Sequence, residues 1–304
     1  MPTLPSGTTA DPGGPMADDR TATNEPDPAY RRLPTEGSLA PTLGSALITW
    51  VEPMPEHVVG YNRWYEDDHF ITGAMSMPWM FGGRRFVAPT WLQHLRGPAG
   101  SRIAEPLEAG KYIAVYWINS DRLDDHTQWS LGTNYRLHEE GRGSYRGVGH
   151  DPLEERRHVF TNMCDYSGPT YRDDAVPRDV HTLVQPYQGL VVQLVEATGT
   201  RQELDEWLAS SYLPSVVRGP DAVATRFAPR PLPKDGLSHV RQLDGIEGIV
   251  CVLHFLEADP RECWDELFAP AEEAIAAGGA GTLALQAAFV PTHHGTDDYT
   301  DELW

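Results

Sequence analysis

Cysteine is scarce in this sequence: its three are Cys164, Cys251 and Cys263, and no two of them have the CxxC spacing of a zinc or redox site. A sparse, odd set is typical of a reducing compartment, where buried thiols act as small apolar side chains. No uninterrupted apolar run approaches the roughly 18 residues of a membrane span. The N-terminus also lacks the basic and then apolar regions of a secretory signal. We therefore expect a cytoplasmic protein.

Basic residues are few: the sequence has 24 Lys and Arg against 44 Asp and Glu, which gives a formal net charge of −20 at pH 7. A chain this acidic is repelled by nucleic acid and by anionic membranes, so we expect neither as a partner and predict a small-molecule substrate. GxGxxG, Walker, GxSxG and HExxH motifs are absent, which argues against nucleotide, Rossmann-flavin, α/β-hydrolase and zincin chemistry.

Five segments follow from composition and periodicity. Residues 1–43 are rich in Pro, Gly, Thr and Asp and predict a disordered or draped arm. Residues 44–166 alternate strands and helices in the order βαββαβ. A linker at 167–186 precedes a second βαββαβ order over 187–291. The acidic tail, 292–304, contains two adjacent histidines near two aspartates, but without a matching ligand framework we predict no metal.

The predicted strands are 46–51, 84–88, 111–118, 158–165, 189–196, 224–228, 247–256 and 283–290. The predicted helices are 57–70, 121–140, 202–217 and 260–277. The charged run Glu154–Arg157, ahead of the fourth strand, is predicted to be a surface loop.

The two βαββαβ segments match at three places in order and at nearly constant offset, which indicates an internal duplication. The matched pairs are Trp50-Val51-Glu52 with Leu194-Val195-Glu196, Trp64-Tyr65 and His69-Phe70 with Trp207-Leu208 and Tyr212-Leu213, and Arg85-Phe86 with Arg226-Phe227. A four-stranded sheet with helices on one face leaves the other face uncovered. Two such sheets can cover each other or close into one barrel.

A helix that reads W-Y-x-x-x-H from Trp64 to His69, between a first strand and an Arg84-Arg85-Phe86 strand, resembles the EthD-like members of the dimeric α+β barrel superfamily. The resemblance implies an α+β fold of two tandem ferredoxin-like repeats that form a pseudo-dimeric barrel within one chain. A further homodimer is also compatible with it. It implies a pocket between the sheet and the first helix of each half.

We expect the functional pocket in the first half, because the second half has leucines in place of Tyr61 and Tyr65 and has Tyr212 in place of His69. In the EthD-like pattern the histidine of W-Y-x-x-x-H is the residue proposed to act, and this carries over to His69. Histidine suits a general base, because an unperturbed imidazole titrates close to neutral pH.

Other residues near this helix complete the predicted site. Tyr65 is expected to donate to a developing oxyanion and Asp68 to orient His69, although a partner from another strand is equally compatible. Arg84 is expected to bind a carboxylate or enolate, whereas Arg85, repeated by Arg226, is assigned a structural role. The expected pocket lining is Trp50, Tyr61, Trp79, Phe81 and Tyr116.

The favoured function is a cofactor-independent enzyme, a lyase or isomerase that uses His69 on a small, largely apolar carbonyl or phenolic substrate. Cyclisation, isomerisation and dehydration all need one base and an oxyanion partner. Two alternatives remain: a haem-dependent or oxygen-using enzyme such as a monooxygenase, with a histidine as axial ligand, and a non-catalytic protein that binds a hydrophobic metabolite.

Overall fold

The computed structural model describes residues 42–232 and 240–304. The expected N-terminal arm lies outside the described residues, apart from its last two. The described strands are, in chain order, β1 (Leu43–Pro53), β2 (Met80–Val87), β3 (Tyr112–Asn119), β4 (Arg156–Tyr171), β5 (Gly189–Ala197), β6 (Asp221–Pro229), β7 (Ile249–Leu256) and β8 (Gly281–Pro291).

These strands close into one antiparallel barrel in the order β1-β3-β2-β8-β5-β7-β6-β4. The closed barrel of strands with helices outside it confirms the predicted α+β barrel fold. Within the ring, the first half has the order β4-β1-β3-β2 and the second half has the corresponding order β8-β5-β7-β6.

Two seams of unequal length join the halves. In the long seam, β4 and β6 pair from Cys164 opposite Pro229 to Tyr171 opposite Val223. In the short seam, β2 and β8 pair through Phe86 opposite Pro291 and Val87 opposite Val290. The chain continues past β8 across the first half, where the Thr292 backbone N–H donates to Arg85 O at 3.1 Å.

Helices cover the outside of the barrel. The described α-helices are α1 (Val58–Trp64), α2 (Thr90–Gln93), α3 (Leu123–Glu139), α4 (Val180–Leu183), α5 (Arg201–Trp207), α6 (Leu213–Val216), α7 (Pro260–Cys263) and α8 (Ala271–Gly278). Widened π-helical turns extend three of them: Tyr65–His69 and Ile71–Met75 after α1, Leu208–Tyr212 after α5, and Trp264–Phe268 after α7. Throughout the described residues, every helix is too short or too polar to cross a membrane.

Strand alternation separates a barrel interior from an outer face. Trp50 of β1 meets Phe289 of β8 inside the barrel, with ring centroids 5.2 Å apart, and Trp117 of β3 meets Phe255 of β7 at 6.2 Å. On the outer face of β3, Tyr116 packs against Phe70 at 5.5 Å. The outer face of the first-half strands therefore faces the continuous helical segment 58–75, which we call the site helix.

The prediction that Glu154–Arg157 forms a surface loop was wrong for its two central residues, whereas Glu154 and Arg157 are exposed. Strand β4 begins at Arg156, which pairs with Pro53 of β1, and both Glu155 and Arg156 are buried. The strand also continues to Tyr171, into the predicted linker, because its second half pairs with β6. Arg156 is buried against the rings of Tyr61 and Trp64, which a charged residue in a short segment gives no reason to expect.

Candidate active site

A cavity of about 1140 Å³ lies between the outer face of β1, β3 and β4 and the site helix with α3. We call it the first-half cavity. Four of the predicted site residues line it: Tyr61, Tyr65 and His69 from the site helix and Tyr116 from β3. Leucine, valine and methionine side chains supply much of the remaining wall. The volume slightly exceeds the roughly 300–1,000 Å³ typical of small-molecule sites, so the cavity can hold a ligand of several rings.

The π-helical turn Tyr65–His69 brings His69 onto Trp64. Residues five apart share a face only where a helix widens in this way, and such turns are frequent at functional sites. The two rings stack with centroids 4.4 Å apart, and the His69 ring also meets the edge of Tyr65 at 5.3 Å. A Cβ at Gly73 would come within 2.7 Å of His69 Nδ1, so the absence of a side chain there makes room for the imidazole.

Trp64 is itself fixed by the loop after α3. Its indole N–H donates to Arg142 O at 2.9 Å, while the Arg142 guanidinium donates to both carboxylate oxygens of Asp68. The hydrogen bond from Arg142 is the main reason that the pKa of Asp68 lies below its ordinary value. Asp68 therefore attaches the site helix to this loop. The same loop fixes the indole of Trp64, on which the His69 ring stacks.

A pair of phenols lies beside His69. The hydroxyls of Tyr65 and Tyr116 are 2.6 Å apart and buried, and both residues line the first-half cavity. Burial raises the pKa of each phenol well above its ordinary value, so both stay protonated at neutral pH. Because the mutual hydrogen bond uses one of the two protons, the other can be donated to a ligand oxygen.

Arg85 lies buried beneath these phenols. Its guanidinium is 4.4 Å from the Tyr65 ring centroid and donates to Asn62 Oδ1 and to Glu66 Oε1, each at 2.6 Å. Glu66 Oε2 in turn meets His294 Nδ1 of the C-terminal tail at 2.6 Å. Burial alone raises the pKa of Glu66, but the His294 hydrogen bond and the Arg85 charge outweigh it and lower the pKa to about 2.

A second polar group lies on the opposite wall, on β1 and β4. The Thr49 and Thr161 hydroxyls are 2.9 Å apart, and Thr161 Oγ1 is 2.7 Å from His158 Nδ1. Arg156, which is 7% exposed, lines the same cavity and lies over the Trp64 ring at 4.6 Å.

The remaining predicted site residues lie elsewhere. Trp50 lies inside the barrel and donates to Gly110 O at 2.9 Å, because β1 alternation turns it away from the helices. Trp79, with a φ of 66°, and Phe81 lie at the start of β2, outside the cavity lining. Alternation along β2 likewise sends Arg84 to the face opposite Arg85, where it donates to Gln185 O. The expectation that Arg84 reaches the pocket is therefore corrected.

The sequence reasoning missed four residues that shape the cavity: Trp64, Arg156, His158 and Thr161. The sequence signal available for Trp64 was its spacing: in both halves a ring-bearing residue follows a tryptophan by five positions, as His69 follows Trp64 and Tyr212 follows Trp207. No such signal marked Arg156, because its contacts depend on β4 beginning two residues earlier than predicted.

Among the described residues, no group of three or more His, Cys, Asp or Glu side chains is arranged to hold a metal ion. A haem would need one imidazole as axial ligand, and His69, His138, His150 and His158 line the cavity. The ring of His69 is packed against Trp64, Tyr65 and Gly73 with its Nδ1 buried, so only Nε2 could serve as its metal-binding atom.

No family profile matches the sequence, and no curated protein matches it either. Several solved structures are similar to it. An anthrone oxidase-like protein has 12% identity and a TM-score of 0.49 over 84% of this chain and 94% of its own. A candidate chlorite dismutase has 10% identity and a TM-score of 0.44 over 86% of this chain and 100% of its own. An encapsulated DyP-type peroxidase from Mycobacterium smegmatis has 11% identity and a TM-score of 0.39 over 88% and 96%, respectively. Similarity at this level does not indicate a shared reaction or cofactor, because one fold hosts many chemistries.

Proposed function

We propose that the first-half cavity is the active site of a cofactor-independent enzyme that acts on an apolar carbonyl or phenolic substrate. The observation that carries this is one cavity in which the imidazole of His69 lies beside the paired hydroxyls of Tyr65 and Tyr116. A base and an oxyanion donor in one largely apolar chamber are the minimum that enolisation requires.

The proposed reaction begins with removal of a proton by His69, either from the carbon next to a carbonyl or from a phenol. Negative charge then develops on the substrate oxygen, which accepts a hydrogen bond from the Tyr65–Tyr116 pair. Return of the proton from His69 to another carbon gives isomerisation. Attack by the enolate on a second carbonyl of the substrate gives an alkoxide that takes the proton from His69, which is cyclisation. Departure of a β-hydroxyl group with the proton from His69 releases water, which is dehydration. The reaction type is thus a lyase or isomerase.

We further propose that 44–166 and 187–291 are tandem copies and that only the first copy keeps the chemistry. Support comes from the matching strand orders and from the repeated π-helical turn. Support comes also from the Arg226–Asp205 pair at 3.0 Å, which corresponds to Arg85 with Asn62. A superposition of the halves that failed to place Tyr65–His69 on Leu208–Tyr212 would contradict it.

The first test uses gently purified protein, examined by absorbance and native mass spectrometry. A colourless protein, empty or with an apolar metabolite, agrees with the proposal, and a Soret band overturns the cofactor-free chemistry in favour of the haem alternative. A metabolite that is bound and always recovered unchanged favours the binding-protein alternative.

The second test follows deuterium exchange from D₂O into the C2 position of 1-tetralone by NMR, a reaction that needs only a base and an oxyanion donor. We expect catalysed exchange by the native protein and loss of about 10²- to 10⁴-fold in His69→Ala. Equal exchange by the native protein and His69→Ala would exclude His69 as the base.

A further inference from the structure

We propose that Arg156 forms an anion subsite in the first-half cavity, so that the substrate is an apolar molecule with a carboxylate or similar anionic group. The inference rests on the proposed function only in that the ligand is a substrate. The anion-binding site itself follows from the contacts of Arg156. It replaces Arg84 with a guanidinium that does line the cavity.

The burial of Arg156 is the first observation. The residue is 7% exposed, at the start of β4, and it lines the cavity beside Trp64. A guanidinium removed from water needs compensation by hydrogen bonds or an opposite charge. Burial lowers the pKa of Arg156 from its ordinary value, yet an arginine keeps its charge throughout the physiological range.

The protein supplies only part of that compensation. Arg156 Nη2 donates to Gly143 O at 3.4 Å, at the long end of hydrogen-bond range. The carboxylate of Glu155 forms an ion pair with Nη1 at 3.6 Å, which balances the charge but makes no hydrogen bond, and Glu155 Oε1 accepts from Ser144. Nη1 is buried without a hydrogen-bond partner among the described residues. A planar donor with an unused N–H is suited to a carboxylate oxygen.

The cavity wall carries little negative charge. Although the whole chain has a formal net charge of −20, the described lining includes a single carboxylate, Asp151, against the guanidinium of Arg156, and the buried Glu155 carboxylate that pairs with Arg156 lies outside that lining. Asp151 Oδ1 is occupied, because it accepts from the Leu153 N–H at 3.0 Å. An anionic ligand therefore meets little opposing charge inside the cavity.

The position of Arg156 relates the subsite to the proposed base. Its guanidinium lies 4.6 Å from the Trp64 ring, and the His69 ring stacks on Trp64 at 4.4 Å. A carboxylate held at Arg156 would anchor one end of an apolar substrate in the chamber that contains His69 and the phenol pair. Anchoring remote from the reacting atoms is how binding energy is used to orient a substrate.

The test compares 2-naphthoate with its uncharged amide, 2-naphthamide, by titration calorimetry on the full-length protein. We expect the native protein to bind the acid about 10- to 100-fold more tightly than the amide. In Arg156→Gln that preference should disappear while the amide binds as before, and Arg156→Lys should restore part of it. Arg157→Gln is the matched control, because Arg157 is the next residue on β4 and is exposed.

Equal affinity for acid and amide in the native protein overturns the inference, as does failure of the native protein to bind either probe. Equal loss of both probes in a folded Arg156→Gln also overturns it, since Arg156 would then only pack the wall. If that variant does not fold, the acid-to-amide ratio of the native protein decides. These outcomes are independent of His69: a carboxylate preference that persists when His69→Ala keeps full exchange activity would refute the proposed reaction and leave the subsite intact.

Discussion

Both halves of the barrel contain a π-helical turn after the first helix, but the side chains around the turn differ. In both, a π-helical turn stacks an aromatic ring on a tryptophan five residues earlier: His69 on Trp64 at 4.4 Å, and Tyr212 on Trp207 at 5.7 Å. In the second half the Tyr212 hydroxyl accepts from Gln193 Nε2 at 3.0 Å. The turn is therefore not a mark of chemistry in itself.

The difference lies in what surrounds the turn. In the second half, Leu204 and Leu208 are fully buried and pack with Val250 and Ile275 in one apolar cluster. In the first half, tyrosines at the corresponding positions line a cavity. The comparison teaches that the side chains, and not the turn, decide whether the space beneath the helix is packed or left open to a ligand.

The largest predicted effect comes from His69→Tyr, which gives the first half the residue that the second half has at the matching position. We expect exchange of 1-tetralone protons to fall by about 10²- to 10⁴-fold, because a protonated phenol cannot replace imidazole as a base, while the unfolding transition changes little. The matched control is Tyr212→Phe, which should leave exchange unchanged. A fully active His69→Tyr would remove the distinction between the halves.

A second prediction concerns the buried arginines that tie β2 and β6 to their helices. Arg85→Met leaves Glu66 charged and buried, since both side chains of that ion pair are only 1% exposed, and should lower the free energy of unfolding by about 3–5 kcal/mol. Arg226→Met should cost less, about 1–3 kcal/mol, because Asp205 is 25% exposed and can be hydrated. Urea denaturation measures the free energy of unfolding of both variants. Equal losses would contradict the predicted difference between the two buried arginines.

The phenol pair gives a smaller effect. Tyr65→Phe and Tyr116→Phe should each lower exchange by only about 10-fold, because the remaining hydroxyl still donates, whereas the double variant should lose about 10³-fold, more than the roughly 10²-fold of two additive effects. Tyr112→Phe, on the same strand face but outside the cavity lining, is the control. An additive double variant with no excess loss would show that the hydroxyls do not substitute for each other.

The last predicted effect is a pH dependence that comes from Glu66 of the first half. The pKa of Glu66 is lowered to about 2, and its counterpart in the second half is Ala209, which does not titrate. A depressed carboxyl pKa adds stability that is complete above the unfolded value, about 4.5, and is lost as pH falls toward 2. The stability advantage of the native protein over Glu66→Gln should therefore shrink across that range. Exposed Glu206→Gln, the control, should show no comparable change, and a pH-independent difference for Glu66→Gln would contradict the assignment.

Much of the barrel could be predicted from the sequence because it depends on local pattern. The alternation of β3 places Tyr116 outward and Trp117 inward, and the two βαββαβ orders specify how many strands must be closed. The π-helical turns could not be predicted, because no residue periodicity distinguishes a helix that widens from one that does not. The sequence alone thus predicts that His69 lies on this helix, but it does not predict the contact of His69 with Trp64.

The candidate site was predictable only where its residues are close in sequence. Tyr61, Tyr65 and His69 share one helix, and they were found together. The link from Glu66 to His294 spans most of the chain, and the approach of Arg156 to Trp64 depends on the register of β4 with β1. Such contacts depend on tertiary packing, and a charged residue in a short segment carries no local sign that it will be buried.

The short seam between β2 and β8 has a consequence for the motions of the barrel. Within the described residues, the seam is paired only at Phe86 opposite Pro291 and Val87 opposite Val290, so few ladder hydrogen bonds hold it, whereas the long seam is paired from Cys164 to Tyr171. Local opening should therefore begin at this seam, and the amide hydrogen of Val87 should exchange with solvent sooner than those between Cys164 and Tyr171 in the long seam. The Thr292 N–H donates to the Arg85 carbonyl beside this seam. Each opening would therefore also free the backbone of Arg85, whose guanidinium lies beneath the Tyr65 ring, so that opening of the seam and loss of order in the cavity should occur together.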